Sequence, residues 1–101
     1  MIKVNIKYKD SFINEIIISG HALYDDFGKD IVCAAVSSIF ITTVNSILSL
    51  DKDAITYEEL LSGFKITNKN NEIANKLLQV MIDELEELEL DYPKNIKIKE
   101  D

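Results

Sequence analysis

The sequence predicts an α+β fold: a mainly antiparallel sheet carrying two helices, with elements in the order ββαββαβ. Three observations predict it. The chain opens on period-two alternation, two stretches of about twenty residues have helical character, and β-branched runs lie before, between and after those stretches.

Ile2, Val4, Ile6 and Tyr8 alternate with Lys3, Asn5, Lys7 and Lys9, the mark of a half-buried strand. Lys9-Asp10-Ser11 is a turn. Phe12 to Ser19, with the run Ile16-Ile17-Ile18, reads as a second strand and the hairpin partner of the first, ending at Gly20. Residues 20–30 form a loop punctuated by Gly20 and Gly28. Its apolar side chains Leu23, Tyr24 and Phe27 serve either as a lid or as pins holding the loop to the core.

Asp30 is a good N-cap, and the helix after it runs from about Ile31 to Leu50. Cys33 then occupies the third helical position. The small residues Ala34, Ala35, Ser37 and Ser38 predict a central helix closely packed near its start. Ala54 to Leu61 and Phe64 to Thr67 read as two short strands turning at Ser62-Gly63. Asn70 or Asn71 caps a second helix reaching about Leu90. Its core face is read as Ile73, Leu77, Val80, Met81, Leu85 and Leu88, and Glu84, Glu86, Glu87 and Glu89 as a solvated face. Pro93 stops it. Ile96 and Ile98, alternating with Lys97 and Lys99, suggest a last edge strand. If the terminal strands pair, Lys3, Lys7 and Lys9 meet Lys94, Lys97 and Lys99, as solvated strand faces or as a local basic patch.

A chain of 101 residues is expected to form one domain, 1–101, burying roughly two thirds of its unfolded surface. Apolar residues at 47% with 29% charged exclude a disordered chain. Ser37, Ser38, Thr42, Thr43, Asn45, Ser46 and Ser49 interrupt the apolar stretch 31–50, so a buried helix is expected there and no membrane span. Strand alternation begins at once, without an apolar leader, so a cytoplasmic location is expected. A net charge of -7 opposes a grip on phosphates and suits a basic partner; no direct nucleic acid binding is expected. One cysteine cannot form an intramolecular disulfide, which fits a reducing compartment. With one cysteine, one histidine and no HxxxH, CxxC or HxxE spacing, neither a metal nor a cofactor is expected.

That cysteine and that histidine, Cys33 and His21, lie twelve residues apart, and they are the candidate catalytic pair. An ordinary thiol, with a pKa near 8.5, is only roughly 3% thiolate at neutral pH. A helix N-terminus contributes about 0.3–1 kcal/mol toward the charged form, less than one pKa unit of about 1.4 kcal/mol. A protonated imidazole beside the sulfur would supply more. The nine residues 22–30 span up to roughly 30 Å, which permits the contact without requiring it. First-turn amides could stabilise an oxyanion. Asp30 either orients His21 or simply caps the helix. Taken alone, a cysteine beside alanines is usually an inert small hydrophobe and a histidine at a strand end a surface residue.

The segment Gly20-His21-Ala22, Gly28, Asp30-Ile31-Val32-Cys33-Ala34-Ala35-Val36-Ser37 resembles the signature of the ribosomal-processing cysteine protease (Prp) family. The resemblance implies Cys33 as nucleophile, His21 as base, and the Gly20–Gly28 loop as a mobile segment over the active site. It also implies a homodimer that removes a short N-terminal extension from a large-subunit ribosomal protein precursor, after a pair of aromatic residues and before a small one. The competing reading is a non-catalytic ribosome-assembly or protein-binding module with a structural cysteine. A redox-sensing thiol is weaker, since no second cysteine is present to resolve a sulfenic acid.

Overall fold

The computed structural model describes residues 1–20 and 31–101. The expected element order is observed: β1 (Ile2–Lys9), β2 (Phe12–Ser19), α1 (Ile31–Leu50), β3 (Ile55–Leu60), β4 (Gly63–Asn68), α2 (Glu72–Asp91) and β5 (Ile96–Glu100). The strands form one sheet in the order β3-β4-β2-β1-β5. Three pairs are antiparallel; β1 and β5 run parallel, with Ile2 opposite Ile96 and Val4 opposite Ile98.

The β1–β2 hairpin turns on Asp10 and Ser11, both at positive φ (51° and 70°), the conformation that matches the twist of a two-residue hairpin. Strand alternation then sends Ile2, Val4, Ile6, Ile16, Ile18, Phe64, Ile66 and Ile96 into one buried cluster. Both helices add their buried faces to that same cluster, so both cover one side of the sheet. The other side carries Lys3, Lys7, Lys97 and Lys99, all exposed.

Asn68 is the polar residue buried among these apolar ones, with 4% of its surface exposed. Its amide donates to Ile13 O at 3.1 Å, and its Oδ1 accepts from Asn71 N at 3.0 Å. Asn71, rather than Asn70, is the N-cap of α2, its Oδ1 accepting from Ala74 N at 2.8 Å. Asn75 Oδ1 accepts from Ile13 N at 2.8 Å. Three asparagines thus fasten the start of α2 to β2 and β4, and each meets a backbone group that burial would otherwise leave unpaired.

Three expectations need correction. The core face of α2 is Ala74, Leu78, Met81, Ile82 and Leu85, with Leu77 and Leu88 half-buried; Ile73 and Val80 are exposed. The expected stripe was rotated on the helix because Ala74 is small and Leu78 and Ile82 stand next to equally apolar neighbours. Secondly, the small residues near the start of α1 are packed only in part, Ala35 and Ser37 being half-buried. Ala34 and Ser38 are exposed, while Val32, Cys33, Val36, Phe40, Val44 and Ile47 are buried. A two-layer fold covers only one side of each helix, which leaves the outer side of α1 open. By length and composition α1 could cross a membrane, with a mean hydropathy of 2.0, but here its apolar face packs on the sheet. Thirdly, Glu89 is not merely solvated. Its Oε2 accepts from Ile98 N at 2.9 Å and so protects the outer edge of β5.

Candidate active site

Cys33 is the third residue of α1, as the N-cap reading placed it. The first turn of α1 contains no acidic side chain, so the helix itself adds nothing that opposes a thiolate there. Only 2% of the Cys33 surface is exposed, and it belongs to the core cluster.

Gly20 closes β2 at the other end of the connecting segment. Its φ of +76° lies in the left-handed region that suits glycine. A Cβ there would overlap Met1 O and stand 3.3 Å from Met1 C. The sequence therefore needs glycine immediately before His21, because the end of β2 runs against the start of β1. The expectations for His21, Leu23, Tyr24, Phe27, Gly28 and Asp30 fall on residues 21–30, outside those described. Two of the predicted site positions, Cys33 and Gly20, are thus placed, at the two ends of the segment that carries the rest.

Sequence reasoning did not single out the aromatic group on the Cys33 side of α1. Phe40 follows Cys33 by seven residues, two helical turns on, and so shares its face. Its ring stacks on Phe64 at 4.6 Å and lies 5.7 Å from Tyr57, itself 5.8 Å from Phe64. Tyr57 is partly exposed on edge strand β3, and burial followed by the nearby Glu59 carboxylate raises its pKa. The available signal was the i, i+7 spacing, which single-sequence reading treats as ordinary core. A cleft of about 280 Å³ between the helices, lined by Ser38, Ile39, Thr42, Thr43, Val80, Met81 and Glu84, lies elsewhere. At about 100° per residue, Thr42 is half a revolution from Cys33, so this cleft opens on the other side of α1. Among the described residues no three His, Cys, Asp or Glu side chains converge as a metal site would require.

The sequence profile described as cysteine protease Prp matches residues 1–97. The chain is 34% identical to the ribosomal processing cysteine protease Prp of Staphylococcus aureus (strain Mu50 / ATCC 700699), over 97% of each chain. It is 33% identical to the protein of the same name from Mycoplasma genitalium, over 100% of this chain and 97% of the relative. The fold superposes, with a TM-score of 0.89 and 31% identity over the whole of both chains, on the crystal structure of the essential ribosomal processing protease Prp from S. aureus in complex with a covalently linked product peptide. A profile match across nearly the whole chain, with relatives of this similarity and coverage, shows that the chain belongs to the Prp family of cysteine proteases.

Proposed function

We propose that this protein is a cytoplasmic cysteine endopeptidase that removes the N-terminal extension of a large-subunit ribosomal protein precursor, with Cys33 as nucleophile and His21 as general acid and base. The carrying observation is the position of Cys33, in the first turn of α1 with no acid in that turn, in a chain of this family. The relatives' name and the product peptide linked covalently to the S. aureus protein support both substrate class and covalent route.

In this mechanism the Cys33 thiolate attacks the scissile carbonyl carbon, and the carbonyl electron pair moves to oxygen. The positive end of α1 and its first-turn amides favour that oxyanion. The tetrahedral adduct collapses, the C–N bond breaks, and protonated His21 gives its proton to the departing amine. A thioester to Sγ remains. Neutral His21 takes a proton from water, the hydroxide attacks the thioester, and the acid product leaves as the thiolate re-forms. Asp30 either orients His21 or caps α1. Leu23, Tyr24 and Phe27, between Gly20 and Gly28, serve either as a lid over the extension or as pins to the core.

The family resemblance also supports a homodimer. Ile31, Ala34, Ser38, Ile41 and Asn45 recur on the outer side of α1 at the three-four spacing of a helix pair; Ile31 and Ile41 are 68% and 54% exposed, and none of the five is charged.

The test incubates a peptide spanning the extension and cut site with wild-type protein, Cys33→Ala and His21→Ala, and reads products by mass spectrometry. Cleavage by wild type alone is expected, with iodoacetamide alkylation of Cys33 titrating well below pH 8. Full activity in Cys33→Ser, or thiol reactivity equal to that of free cysteine, would sink the assignment.

A further inference from the structure

Net charge averages over a surface that the fold divides into two unlike halves. Helix α2 contains seven acids (Glu72, Asp83, Glu84, Glu86, Glu87, Glu89, Asp91) and one lysine, a net of -6 out of the chain's -7. It covers the inner side of the sheet. On the uncovered side, strand alternation places Lys3, Lys7 and Lys9 of β1, Lys65 of β4, and Lys97 and Lys99 of β5. The acids facing that side from the described strands are Glu15 and Glu58. Glu15 is already shared between Lys65 at 3.3 Å and Lys7 at 3.7 Å. Glu100 faces the helix layer instead, since it pairs with the buried Ile6 and its charge helps raise the pKa of Tyr8 and Glu86.

Lys9 lies apart, at the hairpin end with Asp10 and Phe12; Lys3, Lys97 and Lys99 remain, and with Asn5 they line a cleft of about 250 Å³. The parallel register sets Lys3 beside Lys97 and Asn5 beside Lys99. Like charges directly abreast on a sheet cost stability unless an anion joins them. We infer that the open sheet face over β1 and β5 is a docking surface for the phosphate backbone of single-stranded RNA.

Three features select that partner. Lys97 and Lys99 repeat at roughly 6.6 Å along the strand, two residues at about 3.3 Å each, comparable with the step between successive phosphates of an extended polynucleotide. Among the described residues, the cleft lining contains no apolar or aromatic side chain. A folded protein partner needs an apolar anchor at the centre of its interface, whereas a phosphodiester backbone needs only charge and hydrogen-bond donors. Asn5 adds an amide that both donates and accepts, which suits a 2′-hydroxyl. With no aromatic platform among the described residues, the surface holds the backbone and reads no sequence.

The test is fluorescence anisotropy with a labelled 20-nucleotide oligouridine, its deoxy counterpart and polyglutamate. Three lysine–phosphate contacts at a slope of about -0.7 each predict saturable RNA binding that weakens roughly 15- to 20-fold between 50 and 200 mM salt. The triple variant Lys3→Gln/Lys97→Gln/Lys99→Gln is expected to lose that binding with a melting temperature at or above the wild-type value, since the like-charge pair is removed. Glu15→Gln, which releases Lys7 and Lys65, is expected to tighten it. No binding by wild type, unchanged binding by the triple variant, or equal affinity for the deoxy oligomer or polyglutamate overturns the assignment.

Discussion

Gly20→Ala is expected to damage catalysis more than stability, and Gly63→Ala the reverse. At Gly20 the left-handed φ of +76° costs an L-residue about 1–2 kcal/mol. The added Cβ also overlaps Met1 O, in an exposed terminal residue that can shift, at a further cost of about 1 kcal/mol if one hydrogen bond is weakened. The total is on the order of 2–3 kcal/mol. At 4–8 °C per kcal/mol the melting temperature falls by roughly 10–20 °C. At Gly63 a Cβ overlaps Ile18 O and stands 2.9 Å from Ile18 C and Ser19 Cα, all in interior strand β2. Overpacking of this kind costs about 1–3 kcal/mol or more. The two variants therefore lose comparable stability, but Gly20 is joined to His21 and Gly63 is not. A misplacement of about 1 Å at a catalytic group can cost roughly a hundredfold in rate. The assay is kcat/KM for precursor peptide, each variant measured ten or more degrees below its own Tm (about 10 °C is enough to keep both folded). Gly20→Ala is expected to fall by about ten- to a hundredfold while Gly63→Ala stays within a few-fold of wild type. Unchanged Tm and kcat/KM in Gly20→Ala, or equal loss of activity in both, would refute the reasoning.

Asn68→Ala strands Ile13 O and Asn71 N without their partner, and a loss of about 2–3 kcal/mol is expected by urea denaturation, with Asn71→Ala costing about 1 kcal/mol as a lost cap. The pKa of Glu86 is raised by desolvation first and then by Glu100, Asp83 and Glu89. A carboxyl raised in the folded state withdraws stability as pH climbs through its folded pKa, so Glu86→Gln is expected to raise Tm at pH 7. The gain should vanish below the ordinary glutamate value of about 4.3 and shrink in high salt, as thermal melts across pH will show. Glu89→Ala leaves the edge N–H of Ile98 without its carboxylate, and faster amide hydrogen exchange is expected at β5 than at β2.

The strands were legible because alternation is a local property: Lys3, Lys7, Lys97 and Lys99 declare the solvent side, and Ile2, Val4, Ile6 and Ile96 the core side, before any partner is known. Cys33 falls at the third position of α1, as read, because the long apolar run that makes the helix opens at Ile31. What failed depended on what covers each element. An apolar helix such as α1 does not declare which side is buried, so its small residues point to close packing near its start although Ala34 and Ser38 face outward. The α2 stripe was misread for the same reason, since Ile73 and Val80 are as apolar as Leu78 and Ile82 and only the sheet beneath decides between them. Asn68 and Glu89 were missed because their roles are set by backbone groups 55 and 9 residues away, a separation no local pattern encodes. The same limit applies to charge. A total of -7 excludes a uniformly basic surface, but once α2 is placed on the inner side of the sheet the total no longer describes the outer one. Partner chemistry follows the face, and the face follows from the parallel pairing of β1 with β5, which brings residues 3 and 97 together from opposite ends of the chain.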